Sequence, residues 1–195
     1  MAMTVRIEAF ELYRFFHAGD SETLALRGVS LQLAAGEMVA LLGERLTRRP
    51  EAQRAQRRAR GIGILMQAHN LIPSLHLADN MALAMQLAGK PDRARATHLF
   101  EQLGLAGHTS ARPAQLSGGE VARAGLAVAL AAAPQVLLAD EPTGEVDAAT
   151  EALVFAVFDE QRAAGTAILI ATHSEALAAH ADRVVRMRNG RIVDV

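Results

Sequence analysis

The chain has 195 residues, a net charge of −1 and no cysteine. A domain of that size buries about 70% of its unfolded surface, so it needs no disulfide or metal staple, and the lack of cysteine fits a reducing compartment. Near-neutral charge argues against a partner held by bulk electrostatics, and the basic residues are almost all arginine, Lys90 being the only lysine.

Strand and helix patterns alternate along the chain. Val5–Tyr13 and Leu24–Leu33 read as strands joined by a polar turn around Gly19-Asp20-Ser21. A third strand, Glu37–Gly43, is entered from the turn Ala35-Gly36. Pro50 and Gly61 bracket a helix over Glu51–Arg60, and Ile62–Met66 is a short apolar run suited to a buried parallel strand. Helical patterns follow at about 77–89 and 92–103, then 118–132. The strand Val136–Ala139 precedes a helix at 148–163, which stops at Gly165. The strand Ala167–Ala171, a short helix at 175–181 and a hairpin around Asn189-Gly190 complete the order. Such alternation predicts an α/β fold with a mostly parallel sheet, and the helix-free N-terminal strands predict an antiparallel lobe. The most apolar stretch, Ala124–Ala139, is too short to cross a bilayer and contains Pro134 and Gln135.

Three stretches carry chemistry. QVLLADEPTGEVD delivers Asp140 and Glu141 from the end of an apolar strand, where α/β folds bind ligands. One carboxylate can hold Mg²⁺ while its neighbour orients or deprotonates water, although a DE pair after a strand also serves as a plain loop cap. LSGGE opens a helix with Ser117 as N-cap, and Gly118 and Gly119 leave N–H groups at the positive end of the helix dipole. A capped helix after a glycine turn has the same pattern. ILIATHS sets His173 past another strand end, a place where a histidine is structural as readily as catalytic.

Taken in order, Gln67, LSGGE, VLLADE, GEVD and ATHS resemble the nucleotide-binding subunits of ABC transporters. QAHNLIPSLHLADN resembles the Q-loop of the lipoprotein-release and macrolide-export branch, and LYRFFHAG resembles the strand whose aromatic stacks on adenine. The resemblance implies a P-loop NTPase-like fold with a helical signature subdomain at about 70–133, within a single domain spanning residues 1–195. It implies ATP and Mg²⁺ as cofactors. Asp140 would bind the metal, Glu141 would be the base for the attacking water, and Gln67 would contact metal and water. His173 would steady the γ-phosphate, and Phe16 would stack on adenine, unless it is a strand core side chain. Ser117, Gly118 and Gly119 would face the nucleotide of an opposite subunit, with Asp147 across the same interface. Implied partners are transporter membrane subunits and a second nucleotide-binding subunit, in a homodimer or heterodimer. The implied location is cytoplasmic, peripheral on the inner face of the cell membrane, with no membrane span in the chain.

The sequence departs from the pattern in several places. Val121-Ala122-Arg123 stands where Gln-Gln-Arg is usual, and Glu145-Val146 replaces Asn-Leu. The largest departure follows Gly43, which aligns with the first glycine of the Walker A loop G-x-x-x-x-G-K-[ST]. Here the chain runs Glu44-Arg45-Leu46, and no glycine elsewhere is followed by a basic residue and then Ser or Thr. The helix and return strand that normally follow are missing too. If that helix buries four or five large side chains at about 1.5–3 kcal/mol each, its loss approaches a whole domain's stability of about 5–15 kcal/mol. Glu51–Arg60, EAQRAQRRAR, has no apolar stripe to replace it. Its basic charge lacks interleaved aromatics, so it reads as a solvated face and not as a nucleic-acid surface. Three accounts of the gap stand: an omitted segment, a degenerate subunit that lends LSGGE to a competent partner, or a remnant or engineered deletion. ATP hydrolysis by the chain itself is the property the gap puts in question.

Overall fold

The computed structural model describes residues 5–18, 21–42, 61–144, 146–188 and 191–194. Gly43 and the expected helix at Glu51–Arg60 lie outside them. The N-terminal lobe is an antiparallel hairpin of β1 (Val5–Ala18) and β2 (Ser21–Ala34). Both strands run further toward the turn than their alternation predicts, because the ladder continues to the pair Ala18 and Ser21. Register shifts between Ala9 and Leu12, and again at Tyr13 and Phe15, break the period-2 pattern that the sequence reading relied on.

The main sheet has six strands in the order β4-β5-β6-β3-β7-β8. They are β3 (Met38–Leu42), β4 (Ile62–Leu65), β5 (Val136–Asp140), β6 (Ala167–Thr172), β7 (Arg183–Arg188) and β8 (Arg191–Asp194). Each neighbouring pair is parallel except β7–β8, the expected hairpin. Five helices accompany them among the described residues: α1 (Leu77–Ala88), α2 (Arg93–Gln102), α3 (Gly118–Leu130), α4 (Ala148–Ala163) and α5 (Glu175–His180). Two 3₁₀ turns, Ala106–His108 and Pro113–Gln115, were not legible, since three residues carry no periodicity.

Local chemistry sets the helix ends. Asp92, Ser117, Asp147 and Ser174 are N-caps whose side chains accept a backbone N–H from the first turn of α2, α3, α4 and α5. The C-terminal end of α3 gathers cations. Lys90 Nζ donates to the Ala132 carbonyl at 3.1 Å, and Arg95 Nε and Nη2 donate to the Leu130 carbonyl at 3.1 and 3.0 Å. Positive charge at a helix C-terminus is favourable, so the chain's one lysine is a structural cap.

The two faces of the sheet differ. One carries Leu65, Leu137, Ala139, Ile168, Ile170 and Met38, which pack with Leu126 and Leu130 of α3, Val157 and Phe158 of α4 and Leu177 of α5. Burying each large side chain there contributes about 1.5–3 kcal/mol. Close packing of α3 on β4 requires Gly63, where a β-carbon would lie 2.4 Å from the Ala129 carbonyl oxygen. The other face carries Val39, Val136, Ala167 and Val185 against Leu31 and Leu33 of the hairpin. Cover thins toward β4. In the register row Ile64–Leu138–Leu169–Val39, Val39 is fully buried, Leu138 and Leu169 are half-buried, and Ile64 is 46% exposed. The exposed end of this row is the edge strand β4, while the sheet's inner strand β3 stays buried.

Candidate nucleotide site

Parallel register brings the expected catalytic residues to one edge. Leu65 pairs with Ala139, Asp140 with Ala171, and Leu42 with Thr172, so β4, β5, β6 and β3 end side by side. Gln67 follows β4, Asp140 ends β5, Glu141 follows it and His173 follows β6. The carboxyl ends of parallel strands are where open α/β sheets take ligands.

Glu141 is held in a strained turn. Its φ is +49°, in the left-handed region that costs a non-glycine residue on the order of 1–3 kcal/mol. Its N–H donates to the Ala171 carbonyl at 2.9 Å, and Thr172 Oγ1 donates to its Oε2 at 3.0 Å. The second oxygen, Oε1, is 3.8 Å from His173 Nε2. The carboxylate is thus aimed along the strand ends and tied to β6, while the His173 side chain is 70% exposed. Asp140 makes no side-chain hydrogen bond or ion pair among the described residues, and no cluster of three His, Cys, Asp or Glu forms a metal cage there. A single unclaimed carboxylate suits Mg²⁺, which takes one or two protein oxygens and fills its shell with water and phosphate.

Ser117, Gly118 and Gly119 form a second cluster at the N-terminus of α3. Ser117 N–H and Oγ–H both donate to Glu120 Oε2 at 2.8 Å, and Glu120 N–H donates back to Ser117 Oγ at 3.3 Å. These bonds hold the Glu120 carboxyl below its usual range, with His108, 3.4 Å away, adding to the effect. A β-carbon on Gly118 would meet nothing within 4 Å, and neither Gly118 nor Gly119 has a positive φ. Nothing in the chain's own packing requires glycine at either position. Asp147 caps α4 and accepts from Thr150 N–H at 2.7 Å; that bond and the Thr150 hydroxyl hold its carboxyl low. No hydrogen bond or ion pair joins Ser117, Gly119 or Asp147 to Asp140, Glu141 or His173 among the described residues.

The structure adds residues whose roles sequence reasoning did not assign. Asn70 closes the loop carrying Gln67, accepting Met66 N–H at 2.7 Å and donating to the Met66 carbonyl at 2.6 Å. Buried Asn80 accepts Ile72 N–H at 2.7 Å and donates to the His76 carbonyl at 3.0 Å, which fixes the next loop on α1. A polar Asn in an otherwise apolar helical stripe was the signal available for the second. Thr172, Arg123 and Thr150 had no such signal. Phe16 lies on β1 opposite Thr23, and its side chain, like all of Gly43, falls outside the described residues.

Comparison with known proteins places this arrangement. The family model described as ABC transporter matches residues 45–144. The lipoprotein-releasing system ATP-binding protein LolD of Maricaulis maris is 39% identical over 220 residues, covering 96% of this chain and 95% of that protein. LolD of Paramagnetospirillum magneticum is 38% identical over 217 residues, covering 93% and 95%. The probable export ATP-binding/permease protein MacB of Pseudomonas entomophila is 36% identical over 93% of this chain, which spans 32% of it. Among solved structures, the dimeric MJ0796, a bacterial ABC transporter cassette, superposes with a TM-score of 0.86 at 23% identity, covering 96% of both chains. The chain belongs to the ATP-binding subunits of ABC transporters.

Proposed function

We propose that the chain couples nucleotide binding to transport by partner membrane subunits, as one of a pair of nucleotide-binding subunits on the cytoplasmic face of a membrane. The observation that carries this reading is the strand-end row of Gln67, Asp140, Glu141 and His173 on one sheet edge. In this reading Asp140 would hold Mg²⁺, and Gln67 would contact the metal and the attacking water. Glu141, already tied to Thr172, accepts the proton of the attacking water, and His173 steadies the γ-phosphate. Mg²⁺ itself would draw charge from the transferring phosphoryl group. Phe16 and Gly43 would serve adenine and phosphate. Residues 1–195 would act as one cassette, with about 70–133 as its signature subdomain. Gly118 and Gly119, not required by the chain's own packing, support close approach of a phosphate from outside, as does their separation from the Glu141 cluster. The LolD relatives point to lipoprotein release as the process served.

A second reading, a subunit that lends Ser117 and Gly119 to a competent partner without hydrolysing ATP itself, is favoured by the missing loop. The alignment with the Maricaulis relative runs over 220 positions against a chain of 195, so that relative carries at least 25 positions with no counterpart here. Lys90 is engaged on the Ala132 carbonyl just past α3, and Ile64 on the edge strand β4 is 46% exposed. Mg²⁺-dependent ATP hydrolysis decides between them. Activity that falls at least about 100-fold in Glu141→Gln supports the enzyme. Absent activity, together with stimulation of a loop-bearing subunit that Ser117→Ala abolishes, supports the lending role.

A further inference from the structure

Arg123 joins the two halves of the outward-facing cluster. Its Nη1 donates to Thr150 Oγ1 at 2.5 Å across the gap between α3 and α4. Thr150, 4% exposed, uses its N–H and hydroxyl on the Asp147 carboxylate. A β-carbon on Gly119 would lie 3.6 Å from Arg123 Nη1 and 3.7 Å from Thr150 Oγ1, so the guanidinium packs beside Gly119. The same charge lies between Glu120 and Asp147 and lowers the pKa of both. Yet Arg123 Nε is buried without an acceptor among the described residues. An unpaired buried N–H costs stability, so the guanidinium is held here by its bond to Thr150 and by the two carboxylates, not by full hydrogen bonding of its own.

We propose that Arg123 is a positioning residue that ties the N-terminus of α3 to the N-cap of α4, so that Ser117, Gly119 and Asp147 meet a phosphate as one rigid unit. The phosphate rests on the function proposed above; the tie itself does not. Arginine suits the role because its planar fork reaches Thr150 while the charge stays beside Gly119, as an alkyl side chain cannot do.

The test uses the absence of native cysteine. Spin labels at Gly118→Cys and Ala156→Cys report the distance from the head of α3 to an exposed point on α4. The unaltered background gives one narrow distance peak. Arg123→Ala and Thr150→Val each lose that peak while the thermal melt stays single and cooperative, and Arg123→Lys recovers it in part. Should Arg123→Ala fail to fold, Thr150→Val, which keeps the volume, carries the test. A narrow peak that survives in Thr150→Val, or in folded Arg123→Ala, overturns the proposal. MgATP-dependent association of the unaltered chain is a separate measurement: its absence counts against the proposed function and leaves the tie standing.

Discussion

At the residue scale, glycine divides into positions the fold requires and positions it does not. Gly63→Ala would drive a β-carbon to 2.4 Å from a backbone oxygen, and denaturant unfolding should show a loss of about 1–3 kcal/mol. Gly118→Ala meets open space in a helix, so stability should rise by about 0.5–1 kcal/mol while any phosphate-dependent assembly weakens. Opposite signs at two glycines separate packing from ligand approach. The carboxylate caps give a pH signature. Asp147 is held low first by Thr150 N–H and then by its hydroxyl, and Glu120 by the backbone and hydroxyl of Ser117. The unfolded chain therefore binds these protons more tightly than the folded one. The stabilisation is complete above the ordinary values of 3.8 and 4.5 and is lost as pH falls through the lower folded-state values. Asp147→Asn should flatten the acid limb of a stability-against-pH curve and leave neutral pH little changed in slope.

At the element scale, the loops between β4 and α1 are fixed by side chains that mimic missing ladders. Asn80 bonds three carbonyls and one N–H from a buried position. Asn80→Ala strands those groups and should cost about 1–3 kcal/mol in denaturant unfolding, with increased hydrogen exchange at Ile72 as the local mark. Asn70 does the same for the Gln67 loop, so Asn70→Ala should raise exchange at Met66 first. The resemblance QAHNLIPSLHLADN contained both asparagines. The sequence offered no account of them, because their partners are backbone groups that face them only once the loop is closed.

At the scale of the whole molecule, the two faces of the sheet predict different tolerance. Leu65, 4% exposed on the helix-covered face, should cost about 2–5 kcal/mol as Leu65→Ala. Ile64, its neighbour on the thinly covered face, should cost less than about 1 kcal/mol as Ile64→Ala. Comparable losses at the two positions, read from denaturant midpoints, would show that Ile64 is covered in solution. The hairpin β1–β2 packs Leu31 and Leu33 with Val39, Val136, Ala167 and Val185 on this face, which is why the chain keeps a core on both sides of β3 despite its gap.

Sequence alone determined the order of the strands and α-helices among the described residues, the parallel sheet, the N-terminal antiparallel lobe and the identity of the family, because periodicity, caps and short motifs are local. It also determined that the Walker A loop is absent, since that is a statement about residue types. Only the tertiary structure decided that Glu141 is strained and tied to Thr172, that Lys90 and Arg95 cap α3, and that Arg123 bridges two helices. Each depends on groups far apart in the chain, whose meeting is set by strand register and helix packing and leaves no periodic trace. The thin cover over Ile64 belongs to the same class: an edge strand and a buried strand read alike until neighbours are counted on each face.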